Sequence, residues 1–390
     1  MQLSQLVNNL PPYHFADAKR KIAERRAAGV DVISLSMGDP DLPAPQPVLD
    51  RLSETLRDPT NHRYPEYRGM RALHEAFAAW FERRFGVELV PEVEMLPLLG
   101  SKEGLIYLGA ATLNAGDIAL TVDPYYPAYI TAATNVGAQP YMVPLLEQND
   151  YLPDLESISP DALSRARLLW LNYPNNPTAA CADLDFFARA VEFARKHHLI
   201  LVHDMAYAEV YFDDFRPPSL LQIPGAKEVA VELHSLSKTY NMAGFRVGML
   251  VGNADLVDAV ARLKSNIDSG MFRPIQYAAI AALELPESWL QERNAIYRRR
   301  RDVLVDGCNT LGMRARRTQA GLYVWAAVPR GFRSREFAGW LFDQAGVFLT
   351  AGSNFGQAGE GYVRISMTEP QERIEMAIKR MREALSIHVP

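Results

Sequence analysis

Apolar and polar positions alternate along this chain in blocks, and the blocks predict a repeating order of strand, loop and helix. Phe15 to Ala28 carries an amphipathic, highly charged pattern that predicts a helix, with Gly29 placed to end it. Val30 to Leu35 reads as a short strand, Pro47 to Leu56 as a helix, and Met70 to Phe85 as a long helix stopping at Gly86. Short apolar runs follow at Leu96–Leu99, Ile118–Val122, Leu168–Leu171, Leu199–Val202, Val229–Leu233 and Phe245–Val251. Runs this short, bounded by turn residues and separated by helical stretches, are those of a parallel sheet buried on both faces. Helices are expected after Gly104, from Asp183 to His197 and from Asn253 to Asn266.

The pattern changes near residue 279. A charged helix runs through Arg298–Arg301 to Leu311, strands are expected at Gly321–Val328 and Tyr362–Ser366, and a last helix begins near Pro370. The expected division is an N-terminal arm and small-domain segment over 1–33, a large domain over 34–278, and a smaller α+β domain over 279–390.

Composition narrows the class. At 390 residues the chain can hold two domains with a sizeable core. A net charge of −5 gives no general pull toward nucleic acid or anionic membrane. Cys181 and Cys308 lie far apart, without metal or disulfide spacing, so no metal is expected and a reducing, cytoplasmic setting is. No apolar run approaches the ~20 residues of a membrane span.

The chemistry gathers where strands end. Five strand ends lead into polar or aromatic clusters: 100–104, 123–127, 172–178, 203–207 and 234–248. Open α/β sheets bind ligands outside the carboxyl ends of their strands. Ser235, Ser237 and Lys238 follow one strand, with Arg246 eight residues beyond the lysine. An amine, two hydroxyls and a fixed cation together suit a phosphorylated aldehyde, although an isolated SxxK is more often a solvated loop. Ser101 and Lys102 open a helix, whose free N–H groups would favour an anion. Asp204, with Tyr207 three residues on, suits a carboxylate and a phenol held against a pyridine ring. Asn176 lies in a stiff loop, Tyr126 offers a stacking face, and Arg364, between Val363 and Ile365, needs an anionic partner. His197, His198 and His203 lack metal spacing and an evident carboxylate partner, so a structural role is expected. The Arg298–Arg301 run is read as a solvated helix face. The loop Gly356–Gly361 stands in the wrong context for a dinucleotide fingerprint.

Ser-Leu-Ser-Lys (235–238) with Arg246, Tyr-Pro-Asn-Asn-Pro-Thr (173–178) and Asp-Met-Ala-Tyr (204–207) occur in an order that resembles the class I/II, fold-type-I aminotransferases, from Tyr13 to the C-terminus. The resemblance implies a large domain with a mostly parallel, seven-stranded sheet, a smaller α+β domain, and pyridoxal 5'-phosphate as cofactor. Lys238 then resembles the imine-forming lysine, Asp204 the partner of the ring nitrogen, and Tyr207 with Asn176 the holders of the ring hydroxyl. Tyr126 would stack on the ring, while Ser101, Lys102, Ser235, Ser237 and Arg246 would surround the phosphate. Arg364, Gly38, Asn176 and Tyr13 would receive the substrate. Tyr64 resembles a tyrosine that reaches the neighbouring subunit's phosphate, which implies a homodimer with shared sites.

Gly38–Pro43, His234–Met242, Ser265–Gly270 and Leu322–Trp325 are similar to the branch of that family that exchanges the amino group of LL-diaminopimelate with 2-oxoglutarate in lysine biosynthesis. Aspartate or alanine transamination is the alternative, followed by a β-lyase or a non-enzymatic regulator. Ala179, Ala351, Met37 and Arg273 depart from the family pattern. If Arg273 points into the site it favours a dicarboxylate; if it points elsewhere the diaminopimelate reading stands.

Overall fold

Seven strands form the central sheet of this computed structural model, which describes residues 3–9 and 14–388. They are β1 (Met95–Leu98), β2 (Ile118–Asp123), β3 (Gln139–Pro144), β4 (Ala166–Asn172), β5 (Ile200–Asp204), β6 (Ala230–Ser235) and β7 (Gly248–Gly252). Their order across the sheet is β1-β7-β6-β5-β4-β2-β3, and only β7 runs against its neighbours. Consequently β1, β2, β4, β5 and β6 deliver their carboxyl ends to one edge.

Helices cover both faces, which explains the nearly continuous apolar runs. Helix α1 (His14–Ala27) precedes the sheet, as do α2 (Gln46–Leu56) and α3 (Arg71–Phe85). Within the alternating region lie α4 (Ser101–Thr112), α5 (Leu184–Lys196), α6 (Ala254–Ser265) and α7 (Arg273–Leu283). Leu169, Leu171 and Leu201 pack with α3, α5 and α7 on one face, whereas Leu168, Trp170 and Val202 pack with α4 and α6 on the other. Helix α5 shows the local logic. The Asp183 carboxylate accepts from the Phe186 N–H at 2.7 Å, a cap worth about 1 kcal/mol. Phe186, Phe187, Ala190, Val191 and Ala194 then recur at helical spacing and are all buried.

Beyond α7, the long helix α8 (Glu287–Thr310) passes from one core to the next. Leu290 packs in the large core, and Tyr297, Leu304 and Val305 pack in the smaller one. The expected boundary after residue 278 therefore falls inside α7, whose Ala278, Ala279, Ala282 and Leu283 belong to the large core. In the smaller unit, β8 (Tyr323–Ala327) and β9 (Tyr362–Ser366) pair antiparallel, flanked by Arg314–Ala315 and Thr350–Ala351. Helix α9 (Gln371–His388) covers this sheet. The strand expected over 30–35 is only Ile33–Ser34, paired with Val347–Phe348, so the N-terminal segment joins the smaller core.

The arginine run is not a uniformly solvated face. Arg298 and Arg299 are exposed, but Arg300 and Arg301 are buried, pairing with Asp41 at 2.7 Å and Asp213 at 2.8 Å. Both aspartates lie far before α8 in the chain, beside Leu42 and Phe212, so these ion pairs tie the long helix to segments distant in sequence.

Candidate active site

The five converging strand ends enclose a cavity of about 450 Å³. Its lining includes Lys238, Asp204, Tyr207, Tyr126, Asn176 and Arg364, and also Gly38, Ser101, Lys102, Ser235, Ser237 and Arg246. Twelve of the fourteen expected site residues thus line one cavity. Tyr13 lies outside the described residues. Tyr64 does not line this cavity and is 84% exposed.

One end of the cavity is built for an anion. Gly100 holds φ near 88° just before α4, and any side chain there would strike the Arg246 guanidinium. Gly248, in β7, has no side chain for a similar reason, because its backbone lies against the Ser101 amide. The two glycines let Arg246 and the start of α4 converge, where the helix dipole favours negative charge. Arg246 also donates to the Ser237 hydroxyl at 3.5 Å and to the Ala243 carbonyl at 2.9 Å.

Opposite stands Asp204, the last residue of β5. The Tyr129 hydroxyl donates to its Oδ2 at 2.9 Å, while Oδ1 is buried and has no partner among the described residues. A buried, unsatisfied carboxylate oxygen calls for a donor. Burial pushes this acid up to about 6, against the Tyr129 hydrogen bond. Asn172 fixes the backbone beside it by donating to the Asp204 carbonyl at 2.6 Å and accepting from the Asn176 N–H at 2.7 Å. An anion cradle, an orphaned acid and an amine in one cavity fit a phosphorylated pyridine aldehyde.

Lys238 occupies a single helical turn after β6, with its carbonyl accepting from Arg293 at 2.5 Å. Burial lowers its amine to about 8, opposed by Asp39 and assisted by Arg246 and Arg364. Arg364 is only 1% exposed; it donates to Asn176 Oδ1 at 2.7 Å and to the Ser36 carbonyl at 2.5 Å. Its guanidinium lies over the Tyr323 and Phe355 rings, 4.1 and 4.6 Å from their centroids.

Four contributors, Tyr129, Tyr323, Lys19 and Asp39, are not among the expected site residues. Tyr129 has no motif around it and is positioned by stacking on Trp170 at 5.4 Å. Tyr323, from β8, shares a 2.9 Å hydrogen bond with Tyr207 and closes the cavity against Gly38. Lys19 and Asp39 also line the cavity, opposite in sign and exposed. Arg273 is not in the lining, because Glu66 and the Thr60 carbonyl hold it at 2.9 and 3.2 Å. His203 does have a carboxylate partner, contrary to expectation. It is Glu232, which parallel pairing of β5 and β6 places beside it across 29 residues of sequence. The glycine-rich loop at 356–361 serves the domain contact, its Gln357 and Ala358 N–H groups donating to Asp123 at 3.1 and 3.2 Å.

Residues 30–381 match the family model described as aminotransferase class I and II. The LL-diaminopimelate aminotransferase of Dehalococcoides mccartyi (strain 195) is 50% identical over 381 residues, covering 98% of each chain. That of Moorella thermoacetica is 48% identical over 385 residues, covering 99% of each. Among solved structures, substrate-bound BacF from Bacillus subtilis superimposes with a TM-score of 0.95 at 38% identity, covering 98% of each chain.

Proposed function

The chain belongs to the class I and II aminotransferases and is an aminotransferase; we propose that it exchanges the amino group of LL-diaminopimelate with 2-oxoglutarate, using pyridoxal 5'-phosphate. One observation carries the chemistry: the unbonded Asp204 oxygen and the Lys238 amine face the same cavity. The substrate is inferred from relatives of that name, similar over nearly the whole chain.

In this reading Lys238 holds the cofactor covalently, Asp204 its ring nitrogen, and Tyr207 with Asn176 the ring hydroxyl. Tyr126 lies against the ring, and Ser101, Lys102, Ser235, Ser237 and Arg246 take the phosphate. The group, when bound, supplies an electron sink for the carbanion left when the substrate Cα loses its proton. Lys238, once its amine is free, removes that proton as general base. Arg364 grips the α-carboxylate as a bidentate cation, oriented by Asn176 and its two aromatic rings, with the Gly38 backbone beside it. Tyr13 is proposed to complete this substrate set. At the mouth, Lys19 and Asp39 offer opposite charges, which suits the distal zwitterion of diaminopimelate better than a single fixed cation would.

The test is kcat/KM for LL-diaminopimelate, aspartate and alanine in wild type and Arg273→Gln. Diaminopimelate should be preferred by wild type, and the variant should change the preference by less than about threefold, since Arg273 is spent on Glu66. A wild type that ignores diaminopimelate but uses aspartate, with that activity lost in the variant, overturns the substrate.

We further propose a homodimer with shared sites. Tyr64, Tyr67, Ile267 and Phe272 are exposed, and the 64–69 and 265–273 segments touch through Glu66 and Gly270. Mixing Lys238→Ala protein with Tyr64→Phe protein should rebuild one wild-type site in each mixed dimer, about a quarter of all sites at equal ratio. If activity stays at the level of the unmixed variants after proven subunit exchange, each protomer is self-contained.

A further inference from the structure

The apolar layer between the sheet and helices α3 and α5 holds a charged network that transamination, as described, does not use. Glu232 and His203 are both 0% exposed and face each other across β6 and β5. His203 Nε2 lies 2.9 Å from the Tyr173 carbonyl oxygen, which can only accept, so Nε2 carries a hydrogen. His203 Nδ1 lies 2.8 Å from Glu232 Oε1. Glu232 also accepts from the Leu220 N–H and the Ser219 hydroxyl, both at 2.7 Å, and lies 3.2 Å from His234 Nε2. Burial alone would raise this acid, but the hydrogen bonds from His203 and His234 more than reverse the effect and leave it at about 2. Both Glu232 oxygens already accept, Oε1 from the Leu220 N–H and Oε2 from a Ser219 hydroxyl that itself accepts from the Leu221 N–H, so the geometry makes Glu232 the acceptor and Nδ1 the donor, beside the hydrogen on Nε2.

Such a pair is costly to bury, and apolar residues of similar size would often be at least as stable. Its surroundings sharpen the point, since His234 packs against the rings of Phe77, Trp80 and Phe81. What distinguishes the location is its neighbour. His203 is next in sequence to Asp204, whose side chain leaves the opposite face of the same strand toward the cavity. The carbonyl that His203 grips belongs to Tyr173, at the start of the turn that delivers Asn176.

We propose that His203, held as an imidazolium by Glu232, is a positioning residue whose charge behind the sheet keeps the Asp204 carboxylate ionised and whose bond to Tyr173 fixes the Asn176 turn. Tyr129 from a neighbouring element touches Asp204 directly; Tyr126, Tyr207 and Lys238 line the same cavity, as do the charged Lys19, Asp39, Lys102, Arg246 and Arg364. Burial raises Asp204, and His203 and His234 act with the Tyr129 hydroxyl in the other direction. The purpose of this device rests on Asp204 serving the ring nitrogen, but its existence does not.

The experiment therefore uses cofactor-free, full-length protein without substrate, so failure of the substrate reading leaves its outcome unaffected. Neutron diffraction of wild type should find hydrogen on both ring nitrogens of His203. The Asp204 carboxyl is followed by infrared difference titration against Asp204→Asn. In His203→Gln, which keeps a donor for Tyr173, the midpoint should rise by about one pH unit or more. In the double variant His203→Gln/Glu232→Gln, which leaves no unpaired acid, the rise should be smaller. Should the single variant fail to fold, the double variant and the wild-type neutron map carry the test. A singly protonated His203, or an Asp204 midpoint unchanged in a folded variant, overturns the proposal.

Discussion

Lys238→Ala protein should lose transamination by at least about four orders of magnitude, because the other amines lining the cavity, Lys19 and Lys102, are exposed and lack the burial that readies Lys238 as covalent anchor and base. The structure gives the reason for so large an effect. Its carbonyl is held by Arg293, so the side chain starts from a fixed point. Burial, with help from Arg246 and Arg364 and against Asp39, lowers the amine to about 8. At pH 8 about half of it is then the neutral nucleophile, where an ordinary lysine would be well under ~1% neutral. The sign follows directly: cofactor capture by cofactor-free protein should speed up as pH rises toward 8 and level off above it. A rate still climbing tenfold per unit beyond pH 9 would contradict this. Borohydride treatment of the loaded wild type should fix the cofactor to Lys238 alone, as read by peptide mass. Lys238→Arg keeps the charge without the nucleophile and should fail as Lys238→Ala does. An adduct on another lysine removes Lys238 from its role.

Much of this arrangement was legible because parallel strands advertise themselves. Leu168–Leu171 is apolar on both faces and Val229–Leu233 is so except for Glu232, and the polar clusters that follow them mark one edge of the sheet. β3 was not legible. Its Gln139-Pro140-Tyr141-Met142-Val143-Pro144 is half-exposed and carries two prolines, which only an edge strand tolerates. Helix α7 hid for a different reason, its Pro274 reading as a break although proline is at home in a first helical turn. The pairing of His203 with Glu232 depends on strand register, and that of Arg300 with Asp41 on which distant loop packs against α8. Neither is a spacing along the chain. Tyr129 illustrates the same limit: a helical tyrosine gains its meaning only when Asp204 arrives from another strand. Lone residues such as Arg364 were legible by type, since an arginine between Val363 and Ile365 requires an anion, but its clamp between Tyr323 and Phe355 required the fold.

Asp204→Asn should still bind cofactor but lose about 10²–10³-fold in kcat, the range seen when a charged transition-state partner is removed. The two oxygens of this carboxylate have different duties. Oδ2 accepts from Tyr129, and Oδ1 is buried without a partner among the described residues, a state worth keeping only if a ligand donor completes it. An amide in this place retains the shape and one acceptor but carries no charge, so it cannot hold a proton on a pyridine nitrogen. Tyr129→Phe is the control, because it removes one hydrogen bond and leaves the charge. Its effect should stay within about tenfold, in line with the ~1 kcal/mol of a typical hydrogen bond. The pH dependence has a definite sign. Asp204 must be ionised, burial places its titration near 6 in the empty protein, and a facing cation lowers it further. Wild-type kcat should therefore fall on the acid side only below about 6, and Tyr129→Phe should move that limb upward, since the phenol stabilises the charged form. Stopped-flow half-reactions with the amino donor read these changes free of the second substrate. An Asp204→Asn enzyme within tenfold of wild type would remove the carboxylate from the chemistry and leave its unpaired oxygen as a cost without a use.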